Sequence, residues 1–277
     1  METLSFHLYI ENVSLSFWEK GEGENILLCT HGYRQDKAQF PPLFETIPEG
    51  WKILAFDQPM HGNTHWDDKN YCFDKFFFKK LWKALMEKYP QKQWSLLGFS
   101  MGGKTAMMMH QAEPLLVRKM ILIAPGGVYT TPLNRFFSYH RLGRPFFQYL
   151  LKNPNTVMKG ISYAHKKKWM RPFQYRFLKA HFTNLETSLF LRRFVSIYRN
   201  FDFPFPAYAR FTQTTNTHLY LLWGKQDEVV TVNQTDLFRK YAPQTRITVI
   251  EGRHNLIEEN LEEVRQYVEE ILGNNSL

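Results

Sequence analysis

A chain of 277 residues has room for one large domain or two, and its 44% apolar and 22% charged residues are ordinary for a globular protein. No apolar run approaches the roughly 20 residues needed to span a bilayer as a helix. The net charge of +9 is unevenly spread: Leu133 to Thr215 holds 15 Lys/Arg, 2 Asp/Glu and 20 of the aromatic residues, whereas the rest of the chain is slightly acidic.

The first stretch, METLSFHLYIENVSLSFWEK, alternates with a polar break near Glu11 and reads as an antiparallel hairpin. It lacks the basic start, apolar block and small-residue cleavage site of a secretory leader. NILLCTHG is a buried strand running into a glycine turn, and WKILAFDQP is another, stopped by Pro59. Cys29 lies in an apolar run and Cys72 beside aromatics, so both read as buried free thiols. The expected compartment is therefore reducing and cytoplasmic.

Apolar positions from 71 to 89 recur at helical spacing until Pro90. WSLLGF is a strand, MGGKTAMMMHQA a helix and VRKMILIAP a strand. The basic segment then interrupts the alternation; stretches such as SLFLRRFVSIYRNF are helical in spacing, and no comparable buried strand occurs. Afterwards THLYLLWG, NQTDLFRKYA, TRITVIEG and NLIEENLEEVRQYVEEIL resume strand, helix, strand and one final amphipathic helix. The expected fold is α/β, a mostly parallel central sheet with helices on both faces. The core is 1–125 with 216–277, and 126–215 is a basic, aromatic-rich helical cap.

Between WSLLGF and its helix, Gly98 to Gly102 (GFSMG) fits the G-x-S-x-G elbow, a turn too tight for neighbouring side chains that leaves a serine hydroxyl exposed. Ser100 is thus the candidate nucleophile. A serine needs a base, and the base an orienting acid, in the chain order serine, acid, histidine. Asp227 follows one downstream strand in LLWGKQDEVV and His254 the next in VIEGRHNL, at carboxyl ends where α/β sheets place their sites. Glu228 is the fallback acid. An oxyanion hole needs two donors in place; the backbone N–H groups of Met101 and of Tyr33, in THGYRQD, are the candidates. Gly32 would allow close backbone approach, and His31 reads as a structural hydrogen-bonding residue.

HGY, DQPMHGNT, GFSMGG, WGKQDEVV and GRHNL, in this order and spacing, resemble the single-ring, capped α/β-hydrolases. That group holds carboxylesterases, carbon–carbon bond hydrolases, cofactor-free haloperoxidases, proline iminopeptidases and pimeloyl carrier-protein methyl ester esterases. The resemblance covers about 1–125 and 216–277. It implies a Ser100–Asp227–His254 triad with Tyr33 and Met101 as oxyanion donors. Met60 stands where the family's D-x-P-G-H-G-x-S loop has glycine. A serine nucleophile argues against haloalkane dehalogenase chemistry, which uses aspartate.

The expected function is cleavage of a carboxylic ester or thioester through an acyl-enzyme, with no metal or organic cofactor. The alternatives are carbon–carbon bond hydrolysis of a vinylogous diketone and a non-catalytic ligand-binding homologue. His61 and His65 are four apart but lie in a Gly-Asn loop, not in a zinc-binding helix. Lys104 and Thr105 follow glycines as in a phosphate loop, a coincidence of little weight beside the serine elbow. The basic segment reads either as a solvated outer face over an aromatic inner one, or as a surface for negative charge. An anionic acyl substrate, an acidic carrier protein delivering one, or an anionic membrane would fit it. No nucleic-acid recognition motif accompanies the charge.

Overall fold

The structure, a computed structural model, describes residues 3–67, 71–90, 92–129, 132–201 and 204–273. Its strands are β1 (Thr3–Ile10), β2 (Val13–Lys20), β3 (Asn25–Thr30), β4 (Trp51–Phe56), β5 (Gln93–Phe99), β6 (Val117–Ile123), β7 (His218–Gly224) and β8 (Arg246–Ile250). They form an eight-stranded sheet in the order β1-β2-β4-β3-β5-β6-β7-β8. β1 and β2 are antiparallel to their neighbours, and the strands from β4 to β8 in that order pair in parallel. β3, β5, β6 and β7 are buried on both faces, which is why they read as continuous apolar runs rather than alternating ones.

The chain divides into two compact units. The first comprises 1–67, 74–129 and 203–277 and contains the sheet. Its helices are α1 (Lys75–Lys88) and α2 (Met101–Ala112) before the second unit. The second unit is 68–73 with 130–202 and is helical: α3 (Pro132–Tyr139), α4 (Gly143–Lys152), α5 (Pro154–Lys166), α6 (Pro172–Thr183) and α7 (Leu185–Ile197). Leu151, Ile161, Phe182, Leu191 and Val195 form its own buried cluster. The chain then returns to the first unit through α8 (Phe205–Thr212), α9 (Thr235–Tyr241), α10 (Leu256–Glu259) and α11 (Leu261–Gly273). α8 was expected in the insertion, but its Tyr208 and Ala209 are buried within the first unit.

Two helix boundaries differ from those the spacing predicts. Tyr71 to Asp74 lie outside α1 because the Asp74 carboxylate accepts from the Phe76 and Phe77 N–H groups at 3.0 and 3.3 Å, fixing the start. The single terminal helix breaks at Asn260, whose side chain donates to Glu251 O at 3.1 Å while its carbonyl accepts from Val264 N–H. Cys29 is buried, whereas Cys72 is only half-buried. Among the described residues, no helix is long and apolar enough to cross a membrane.

Candidate active site

β3 and β5 are neighbours with Thr30 opposite Gly98, so the turns leaving them lie side by side at the carboxyl edge of the sheet. The turn after β5 is tight. A Cβ on Gly98 would lie 2.5 Å from Gly102 O, and one on Gly102 would lie 1.9 Å from Thr30 O. The space is filled by polar contacts instead: Thr30 Oγ1 donates to Gly102 O at 2.8 Å.

Ser100 takes φ +51° and ψ −116°, a conformation that costs a residue with a side chain about 1–3 kcal/mol. Its backbone is held on both sides. Ser100 N–H donates to Ile123 O at 3.0 Å, and its carbonyl accepts from Gly103 and Gly126 N–H at 2.9 and 2.7 Å. The elbow is thus clamped to the end of β6, and the half-buried hydroxyl is left for other partners.

One partner is His254. Ser100 Oγ lies 2.8 Å from His254 Nε2, and His254 Nδ1 lies 2.7 Å from Asp227 Oδ2. Asp227 is 4% exposed, and its other oxygen accepts from the Val229 and Val230 N–H groups, each at 2.8 Å. Those two amides hold the carboxylate so that one oxygen faces the imidazole. His254 Nδ1–H then donates to Asp227, and Nε2 is the acceptor facing Ser100 Oγ–H. The Phe99 ring packs against the imidazole at 5.4 Å between centroids, an apolar contact that spacing alone does not reveal. Glu228 is exposed, so the acid in contact with His254 is its neighbour.

Met101 opens α2, where the first N–H groups have no acceptor within the helix. Tyr33 lies in the turn closed by Gln35 N–H to Gly32 O, with Arg34 at φ +59°. A Cβ on Gly32 would meet Gln35 Oε1 at 2.3 Å and the Phe99 ring at 3.1 Å, so a side chain there would displace the Gln35 amide and crowd the ring. Burial pushes the Tyr33 phenol up from its ordinary value and keeps it protonated.

A buried polar layer supports these turns. Gln58 Nε2 donates to His31 O at 2.6 Å, Gln58 N–H donates to His31 Nε2 at 2.9 Å, and Thr105 Oγ1 donates to Gln58 Oε1. His31 is therefore protonated on Nδ1, which faces Gly32 O at 2.8 Å, and burial lowers its pKa to about 3. His61 accepts from Arg34 N–H at 3.1 Å and faces Pro59 O at 2.8 Å; burial lowers its pKa too. One ring nitrogen of His61 is thus engaged within its own loop and the other by the turn after β3. Met60 takes φ +67°, so the loop keeps the left-handed turn that glycine favours. Asp57 anchors the loop, accepting from Lys37 Nζ at 2.6 Å and Asn63 N–H at 2.8 Å. The run from Gly98 to Thr105 also satisfies phosphate-loop spacing, but Lys104 is buried with its stem beside Gly127, and Gln58 holds the Thr105 hydroxyl.

The sequence profile of the alpha/beta hydrolase fold matches residues 25–261. The chain belongs to that family. It is 30% identical over 128 residues to a serine hydrolase-like protein of Danio rerio, an alignment spanning 46% of this chain and 38% of that protein. The chain thus spans well under two thirds of that relative. It is 24% identical over 223 residues to a Bacillus subtilis hydrolase, YugF, covering 75% of each. A membrane phospholipase A structure superposes with a TM-score of 0.68 at 20% identity, over 98% of this chain and 86% of that one. The parallel order of β5, β6, β7 and β8 brings the turns carrying Ser100, Asp227 and His254 to one edge of the sheet.

Proposed function

We propose that this chain is a serine hydrolase that cleaves carboxylic ester or thioester bonds through an acyl-enzyme. The observation that carries the reading is the unbroken contact from Ser100 Oγ through His254 to the buried Asp227.

Ser100 Oγ attacks the acyl carbonyl carbon while its proton passes to His254 Nε2. The carbonyl electron pair becomes an oxyanion, received by the Tyr33 and Met101 N–H groups. Asp227 stabilises the imidazolium and holds its tautomer without taking the proton. Collapse of the tetrahedral adduct expels the alcohol or thiol, protonated by His254. Water, deprotonated by the same nitrogen, then releases the acid and restores Ser100. Every step uses groups of this chain and water.

Hydrolysis of 4-nitrophenyl esters from acetyl to dodecanoyl tests the reading, with Ser100→Ala as the control. Turnover at one or more lengths that is lost in the variant is the expected result. Turnover equal in the variant would overturn the nucleophile. Cleavage of vinylogous diketones without any ester turnover would replace ester chemistry with carbon–carbon hydrolysis at the same triad.

A further inference from the structure

The loop joining α5 to α6 concentrates charge and aromatic surface in a way its own helices do not explain. Lys166, Lys167 and Lys168 are consecutive and exposed, and Arg171 follows two residues beyond Trp169. Cations suit the C-terminal turn of α5, where they meet the negative end of the helix dipole. Arg171, however, is the N-cap of α6, where a cation is disfavoured and whose first turn contains no acid. Among the described residues, no carboxylate forms an ion pair with Lys159, Lys166, Lys167, Lys168 or Arg171. Glu186 is the only acidic residue among the described residues of the helical unit.

The same tip leaves aromatic surface in water. Trp169 is 73% exposed and Tyr163 55% exposed, their rings meeting edge to face at 5.8 Å. Lys167 Nζ lies 5.7 Å from the centre of the Tyr163 ring. An open groove of 930 Å³ beside them is lined by Met158, Tyr163 and Phe182, with Lys159 and Lys166 also along it. Tryptophan and tyrosine are the side chains that favour the boundary between acyl chains and headgroups, and lysines beside them attract anionic lipid. A small soluble anion would meet the lysines but would leave the exposed Trp169 ring in water.

We propose that the α5–α6 tip docks on an anionic lipid bilayer, with Tyr163 and Trp169 at the headgroup boundary and Lys159, Lys166, Lys167, Lys168 and Arg171 against lipid phosphates. Co-sedimentation of the full chain tests this, using vesicles of phosphatidylcholine alone and of phosphatidylcholine with phosphatidylglycerol in equal parts. Binding to the mixed vesicles, absent with the neutral ones and weakened by salt, is expected. At about fivefold per lysine, Lys166→Glu/Lys167→Glu/Lys168→Glu should lower partitioning by roughly 100-fold or more. Trp169→Ala should lower it several-fold at unchanged charge. Lys75→Glu/Lys79→Glu/Lys83→Glu on α1 makes the same change in net charge and should retain most of the binding. Circular dichroism checks folding, with the three tip lysines changed to glutamine if the reversal unfolds the chain. Three results would overturn the proposal: no binding to mixed vesicles, including a chain that instead takes up acidic protein or nucleic acid; equal binding to neutral vesicles; or equal losses in the α1 and tip variants.

Discussion

Ser100 illustrates how a strained residue is kept in place: its left-handed backbone is fixed by Ile123, Gly103 and Gly126, so the hydroxyl is aimed before substrate arrives. Asp227 is fixed with similar redundancy by two amides, which leaves one oxygen for His254. Asp227→Asn should therefore preserve the fold and lower kcat by roughly 10⁴-fold, because an amide no longer enforces the proton on Nδ1. A thermal midpoint near the parent's with that loss is the expected pair of results; a loss under tenfold would show that His254 does not depend on this acid. That Ser100, His254 and Asp227 would come into contact was legible in the sequence, because a proposed relay of this kind needs particular residue types in a particular order after strands. Gln58, Phe99 and the amides of Val229 and Val230 were not, since their partners are fixed by packing and register rather than by residue type.

At the scale of elements, β3, β5, β6 and β7 were legible because a buried parallel sheet demands unbroken apolar runs, and the elbow because two backbones approach too closely for any Cβ. Helix ends were less so. Asp74 and Asn260 set boundaries through single side-chain hydrogen bonds, and the apolar spacing runs past both. The glycines divide into opposite cases. Gly102→Ala drives a Cβ against the Thr30 carbonyl, a backbone atom that cannot turn aside, and should destabilise by about 1–3 kcal/mol or more. Gly160, in α5, is exposed and has nothing within 4 Å of the new methyl. Gly160→Ala should stabilise by up to about 1 kcal/mol through helix propensity. Thermal melts of the two variants should shift in opposite directions, and a stabilised Gly102→Ala would refute the close packing of the elbow.

For the molecule as a whole, two buried histidines make stability depend on pH. Burial lowers His31 to about 3 and His110 to about 4; His110 is held between the Tyr208 hydroxyl at 2.8 Å and Thr217 Oγ1 at 3.0 Å. Between pH 7 and 5 the unfolded chain binds protons at these histidines that the folded chain refuses. Stability falls as pH drops through the ordinary histidine range, and the loss is complete only below the folded values. With an unfolded value near 6.5, each group costs about 2 kcal/mol at pH 5. Urea midpoints at pH 7 and pH 5 check this; a midpoint that is flat or higher at pH 5 would contradict neutral burial. The uneven charge was also legible in the sequence, but not the exposure of Tyr163 on α5 and of Trp169 in the loop after it, because residue type and spacing do not say which rings the neighbouring elements cover.

The proposed chemistry stands on Ser100 as a nucleophile activated by His254. A fluorophosphonate probe tests it most directly: attack by the serine oxygen forms a phosphorus–oxygen bond and expels fluoride, leaving a fixed mass on the attacking residue. One adduct per chain is expected, on the peptide carrying Ser100, lost in Ser100→Ala and strongly slowed in His254→Ala. An adduct on another residue, or labelling that persists in Ser100→Ala, would contradict it.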